Sequence, residues 1–152
     1  MTAEIRATID TQAIARDFLP GDLDYLAHAA TPVHWAAGET VFREGIREDA
    51  LYLILEGLVA LEISVPQRGR VRIATIGAGE LFGWSSLFYE KPKTALAAVL
   101  EPTRALAFNA ARLREQSEND PGFGYRLTRV VLRVVSDRLK ATRAQLLDMF
   151  AR

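Results

Sequence analysis

Between residues 33 and 108 the chain never sustains a helical period. It breaks instead into short runs rich in Val, Ile, Leu and Tyr, and Gly38, Gly45, Gly57, Gly69, Gly77 and Gly79 separate them. Runs of this length and composition read as strands, and the glycines between them as turns. The strands are expected near "VHWAA", "TVFRE", "ALYLILEG", "LVALEISV", "RVRIATIG", "TALAAVL" and "RALAFNA". This rhythm limits the centre of the chain to an antiparallel sandwich, barrel or roll. Within it, "EISVPQRGRVRI" reads as a hairpin, with Pro66 and Gly69 marking the turn.

The flanks obey a different grammar. Before the strands, "TQAIARDFL" carries Ala13, Ile14, Phe18 and Leu19 at helical spacing; Pro20 and Gly21 interrupt it. "DLDYLAHAA" then restarts with Asp22 as the expected N-cap and Leu23, Leu26 and Ala27 on one face. After the strands, "NAARLREQSEND" reads as a short helix ended by Asp120, Pro121 and Gly122, and residues 125–150 run without Gly or Pro. There Tyr125, Thr128, Leu132, Val135, Leu139, Thr142, Leu146 and Met149 follow alternating steps of three and four, which is a heptad seam. Leu127, Val130, Val131 and Val134 form a second patch, confined to the first half. One patch suits the chain's own core. The other suits a partner helix, so a homodimer through Thr128, Leu132, Val135, Leu139, Thr142, Leu146 and Met149 is expected. A single domain over 1–152 is expected: N-terminal helices at 10–31, the strand-rich region at 33–109 and C-terminal helices at 110–152.

Composition excludes several functions. The 152 residues include 19 Lys and Arg against 19 Asp and Glu, so broad electrostatic capture of nucleic acid is not expected. The absence of Cys removes thiol nucleophiles, disulfides and thiolate metal sites. His28 and His34 have no carboxylate pair at metal-ligand spacing, and no metal or cofactor is expected. No nucleophile elbow or P-loop is present, so the chain is not read as an enzyme. Glu44, Glu48 and Asp49 read as the solvated face of a turn, and the arginines at 126, 129, 133, 138 and 143 as the solvated face of a helix. The polar start "MTAEIRATID" and the lack of a long apolar run favour a cytoplasmic protein without a membrane partner.

The stretch "AAGETVFREGIREDALYLILEGLVALE", residues 36–62, resembles the opening of the cyclic nucleotide-binding domain family. Gly38, Val41, Phe42, Gly45, Asp49, Tyr52, Leu53, Ile54, Leu55 and Gly57 carry the likeness. The resemblance implies a jelly-roll-like antiparallel β-roll of about eight strands, mainly β, with N-terminal helices and a long C-terminal helix. It also implies that "GELFGWSSLFYEKPKTA", residues 79–95, holds the phosphate-binding cassette. The implied site is Phe82, Gly83, Trp84, Ser85, Ser86, Leu87, Lys93 and Thr94, with the amides of Ser85, Ser86 and Leu87 opening a short helix.

Two positions depart from the family pattern: Trp84 stands where a Glu would hold the ribose, and Lys93 where an Arg would pair with the cyclic phosphate. Using Gly79 and Glu80 instead would lengthen the cassette by four residues. The expected function is a regulatory sensor binding cAMP, cGMP or a related phosphate ligand and signalling through its last helix to a further protein. The alternative is a ligand-free dimerisation or interaction module. Because relatives that regulate transcription continue into a helix-turn-helix and this sequence stops at Arg152, direct DNA binding is not expected.

Overall fold

A computed structural model describes residues 1–88 and 92–151. The strands are β1 (Ala30–Trp35), β2 (Thr40–Phe42), β3 (Ala50–Val65), β4 (Gly69–Gly77), β5 (Leu81–Phe82) and β6 (Leu96–Asn109). They form one six-stranded sheet in the order β1-β6-β3-β4, with β2 added on β6 and β5 on β3. Every pairing is antiparallel.

Eight strand-like arms are implied by the resemblance and six strands are hydrogen-bonded, and the difference lies in two long strands. "ALYLILEG" and "LVALEISV" are one strand, β3, of 16 residues. "TALAAVL" and "RALAFNA" are one strand, β6, of 14 residues. Their pairing slips between Ile54 and Glu56, between Glu56 and Leu58, and between Leu58 and Val59. Gly57 sits at that irregularity with φ +114°, and a Cβ there would lie 2.3 Å from Thr103 Oγ1. The Thr103 hydroxyl accepts from the Leu58 amide at 3.1 Å and donates to Glu101 O at 2.7 Å. Such a break lets a long pair of strands bend and curl the sheet into a roll. The expected hairpin is present: Val65 pairs with Gly69, and the Arg68 amide closes the turn on Val65 O.

The two faces of the curled sheet carry two cores. Leu51 and Leu53 belong to one cluster with Leu106, Phe108 and the helices, while Tyr52 and Ile54 belong to a second inside the roll, with Phe42, Val59, Ile76, Phe82 and Val99. A strand buried on both faces needs apolar residues at every position, which accounts for the unbroken run in β3. Phe82 stacks on Tyr52 at 4.9 Å between ring centroids and is fully buried. Burial of one such ring contributes roughly 2–3 kcal/mol.

The helices are α1 (Thr2–Asp10), α2 (Pro20–Ala29), α3 (Ala110–Asn119) and α4 (Pro121–Ala151), with a 3₁₀ turn at Ala13–Asp17. The helical region therefore begins before residue 10: Ile5 and Ile9 of α1 are buried although the surrounding sequence is polar. Asp22 is not the N-cap of α2. Leu19 holds that place, Pro20 takes the first helical position, and Asp22 accepts the Leu19 amide at 2.9 Å. Its carboxylate is also gripped by Arg126 at 2.5 and 3.0 Å.

Phe123 docks the start of α4, its ring 6.1 Å from Phe18 and 5.7 Å from Tyr25. Leu127, Val130 and Val131 continue the buried stripe. From Leu139 to the end of α4 every residue is exposed. No helix among the described residues is long and apolar enough to cross a membrane.

Gly57→Ala should destabilise the fold by about 2–5 kcal/mol, because the added methyl meets Thr103 at a positive φ. Chemical denaturation checks this; an unchanged midpoint would contradict the bend described.

Candidate functional site

An open cleft of about 1120 Å³ lies between the roll and α4. Phe42, Leu61 and Ile73 form its apolar wall; Gly83, Trp84, Ser85, Lys93 and Thr94 line another side; Asp17, Arg133, Asp137 and Arg138 complete it from the 3₁₀ turn and α4.

The segment after β5 is shaped by Gly83. Its φ is +80°, and a Cβ there would lie 2.9 Å from Ala50 O, so only glycine suits both the conformation and the space. A 3₁₀ turn, Trp84–Leu87, follows. The Ser86 amide is already bonded to Gly83 O at 3.3 Å, so the amides without a partner inside the turn are those of Trp84 and Ser85, earlier than expected from sequence. A four-residue turn has little dipole of its own. The positive charge of the site comes from Lys93.

Lys93 is buried, with 6% of its surface exposed. Its ammonium donates to Ser86 Oγ at 2.8 Å and, more weakly, to Gly83 O at 3.5 Å. It also lies 4.8 Å from the centre of the Phe42 ring, a cation–π contact. Ser86 in turn donates to Glu48 O at 2.8 Å. The backbone is clamped on both sides: Lys93 N–H donates to Ile46 O, and Gly45 N–H to Lys93 O, each at 2.8 Å. Among the described residues no carboxylate forms an ion pair with this ammonium. Burial pushes its pKa down, and the more distant charges of Glu48 and Asp49 only partly oppose that.

The acidic turn nearby is not simply solvated. Glu44 accepts the Ser64 amide at 2.8 Å, and Glu48 accepts the Tyr52 hydroxyl, whose pKa is raised by burial and by that carboxylate. Asp49 pairs with Arg114, which also bonds Ser86 O. His28 and His34 are both exposed; the His28 ring is 2.8 Å from Asp24 O.

Of the residues expected in the site, Gly83, Trp84, Ser85, Lys93 and Thr94 line the cleft. Phe82 and Leu87 lie in the two cores, and Ser86 is buried behind Lys93. Trp84 is half-buried: it packs on the larger core and still forms part of the cleft wall. Tyr89, Glu90 and Lys91 of the expected cassette lie outside the described residues.

The arginines of α4 correct the expectation of a solvated basic face. Arg133 grips Asp17 with two hydrogen bonds, at 2.9 and 3.0 Å, which together with the positive charge holds the Asp17 carboxyl below its usual range. Arg138 is half-buried and donates to Leu81 O at 2.6 Å. Asp17 and Arg133 are 116 residues apart, so no local pattern could announce their meeting.

A model of the cyclic nucleotide-binding domain matches residues 32–120. The CRP-like cAMP-activated global transcriptional regulator of Mycobacterium tuberculosis is 33% identical over 131 residues, covering 86% of this chain and 56% of that protein. The chain thus spans about half the length of this curated relative. A crystal structure of a cyclic nucleotide-binding domain from Methylobacillus flagellatus KT has a TM-score of 0.82 at 24% identity, covering 97% of this chain and 83% of its own. The N-terminal domain of a transcriptional regulator from Streptomyces coelicolor A3(2) has a TM-score of 0.67 at 29% identity, covering 88% and 90% respectively. The chain belongs to the cyclic nucleotide-binding domain family.

The buried Lys93 has a pH consequence. Its proton affinity is lower in the fold than in the unfolded chain, so between the depressed folded pKa and the ordinary 10.5 the unfolded chain binds more protons. Stability gained from this group therefore increases as pH rises through that window. Relative to Lys93→Met, the native chain should gain thermal stability on going from neutral pH toward the ordinary lysine value. Parallel melting curves across that range would contradict the buried, uncompensated ammonium.

Proposed function

We propose that this chain is a cytoplasmic regulatory sensor. It would capture cAMP, cGMP or a related phosphate ligand in the cassette at residues 83–94 and signal through α4 to a further protein. The observation that carries this is the Lys93 ammonium, sunk in the cleft wall without a carboxylate partner among the described residues. A buried cation is costly unless an anion compensates it, and a cyclic phosphate supplies that anion. The cAMP activation in the name of the Mycobacterium relative supports the same ligand class.

The cassette differs in strength from the family pattern. Lysine offers a point charge where arginine offers a two-pronged fork. Trp84 replaces the ribose carboxylate and removes one charge-assisted hydrogen bond, a loss of about tenfold to a hundredfold in affinity. In exchange, the indole offers a flat surface on the cleft wall on which a base can stack.

Transmission would run through Arg138, which ties α4 to the carbonyl of Leu81, just before Gly83. Tyr125, Leu132, Leu139, Leu146 and Met149 are exposed along α4, and together with Thr128 they leave the heptad seam open to a second copy. Val135 is half-buried against the core and Thr142 lines the cleft, so these two are shared between the seam and the chain's own packing. A regulatory role is the reading these assignments support.

Calorimetry with cAMP and cGMP is the test. Saturable binding is expected, weakened about tenfold or more by Lys93→Ala and largely retained in Lys93→Arg. No heat at millimolar nucleotide would favour the ligand-free interaction module instead. In sedimentation at about 100 µM the chain should be dimeric and Leu139→Glu monomeric; since Leu139 is exposed, its replacement leaves the fold intact. A monomeric native chain would refute the seam.

A further inference from the structure

Besides Lys93, the cleft is lined by Arg16, Arg133 and Arg138; Arg16 and Arg133 are exposed, and Arg138 is the half-buried one beside the cassette. Arg138 reaches in from α4, and among the described residues it forms no ion pair with a carboxylate. The charge that acts on it is Glu80, one of whose oxygens already takes the Gly77 amide at 2.9 Å. Arg133, the other α4 arginine on the cleft, is engaged by Asp17.

The spacing of the two heads follows from the backbone. Arg138 holds the Leu81 carbonyl at 2.6 Å, and Lys93 approaches the Gly83 carbonyl at 3.5 Å. Residues two apart are separated by at most about 7 Å, so the two cations are tethered to neighbouring points on one wall. A cyclic phosphodiester has a single anionic group. It can compensate Lys93 and would supply no second anion for Arg138.

The position of Trp84 adds to this. A carboxylate at that place would repel a second negative charge on the ligand; the indole does not. The volume of about 1120 Å³ lies just above the range of about 300–1,000 Å³ usual for small-molecule pockets and admits a ligand larger than a cyclic mononucleotide.

We propose that the cleft prefers a ligand carrying two separate anionic groups on an aromatic scaffold, of the nucleoside bisphosphate class, with one group on Lys93 and the other on Arg138. This rests on the cassette binding phosphate at all. Because Arg138 belongs to α4, such a ligand would bridge the roll and the helix directly.

Titration of the full chain with cAMP and with adenosine 3′,5′-bisphosphate at equal ionic strength tests it. The bisphosphate is expected to bind about tenfold tighter, the worth of one charge-assisted contact. Arg138→Gln should bring the two affinities together, Arg138→Lys should keep most of the difference, and Lys93→Ala should weaken both ligands. Equal affinities in the native chain, or a preference that survives Arg138→Gln, would overturn the second anion site while leaving the cassette in place. If neither ligand bound, the cassette reading itself would fall.

Discussion

A lysine ammonium buried beside a serine hydroxyl organises the site. Lys93 reaches Ser86 and Gly83, while its own backbone is pinned to Gly45 and Ile46. Ser86 is bonded onward to Glu48 O, and Glu48 to Tyr52, whose ring stacks on Phe82 in the core of the roll. The cation therefore cannot be treated as a surface charge. Its position is set by the same contacts that close the roll, and the desolvation it suffers is the physical basis of the proposed anion site.

The second constraint is the way α4 is held. Aromatic packing of Phe123 and the Arg126–Asp22 pair fix its start against α2, and Arg133–Asp17 fixes it against the 3₁₀ turn. Asp22 would be raised by burial, but Arg126 and the Leu19 amide outweigh this and keep its carboxyl below the usual range. Further along, Val134 and Val135 pack on the core and Arg138 bonds the Leu81 carbonyl, and from Leu139 the described residues of α4 are exposed. A helix fixed at one end and lightly held beside a cleft is an element whose equilibrium a ligand can bias.

Much of this was legible in the sequence where the physics is local. The hairpin turn follows from turn chemistry and the strand-rich centre from periodicity, while Gly83 is placed by the family resemblance. What escaped was non-local. The merger of four expected strands into two continuous, bent ones depends on a bulged glycine meeting Thr103 across the sheet. Ile5 and Ile9 are too sparse in a polar stretch to announce a buried helix, and their burial comes from packing against other helices. Asp17, Arg133 and Arg138 look like ordinary surface charges until the chain folds α4 back over the cleft. Phe82 and Leu87, assigned by resemblance, shape the site from within the core and do not line it.

Hydrogen exchange on the full chain, with and without saturating cAMP, probes the coupling of cassette and helix most directly. Amides of residues 83–87 and of α4 from Arg133 onward should change protection together, with the change in α4 lost when Arg138 is replaced by Gln. Protection confined to the cassette, with α4 exchanging as in the free chain, would contradict the account.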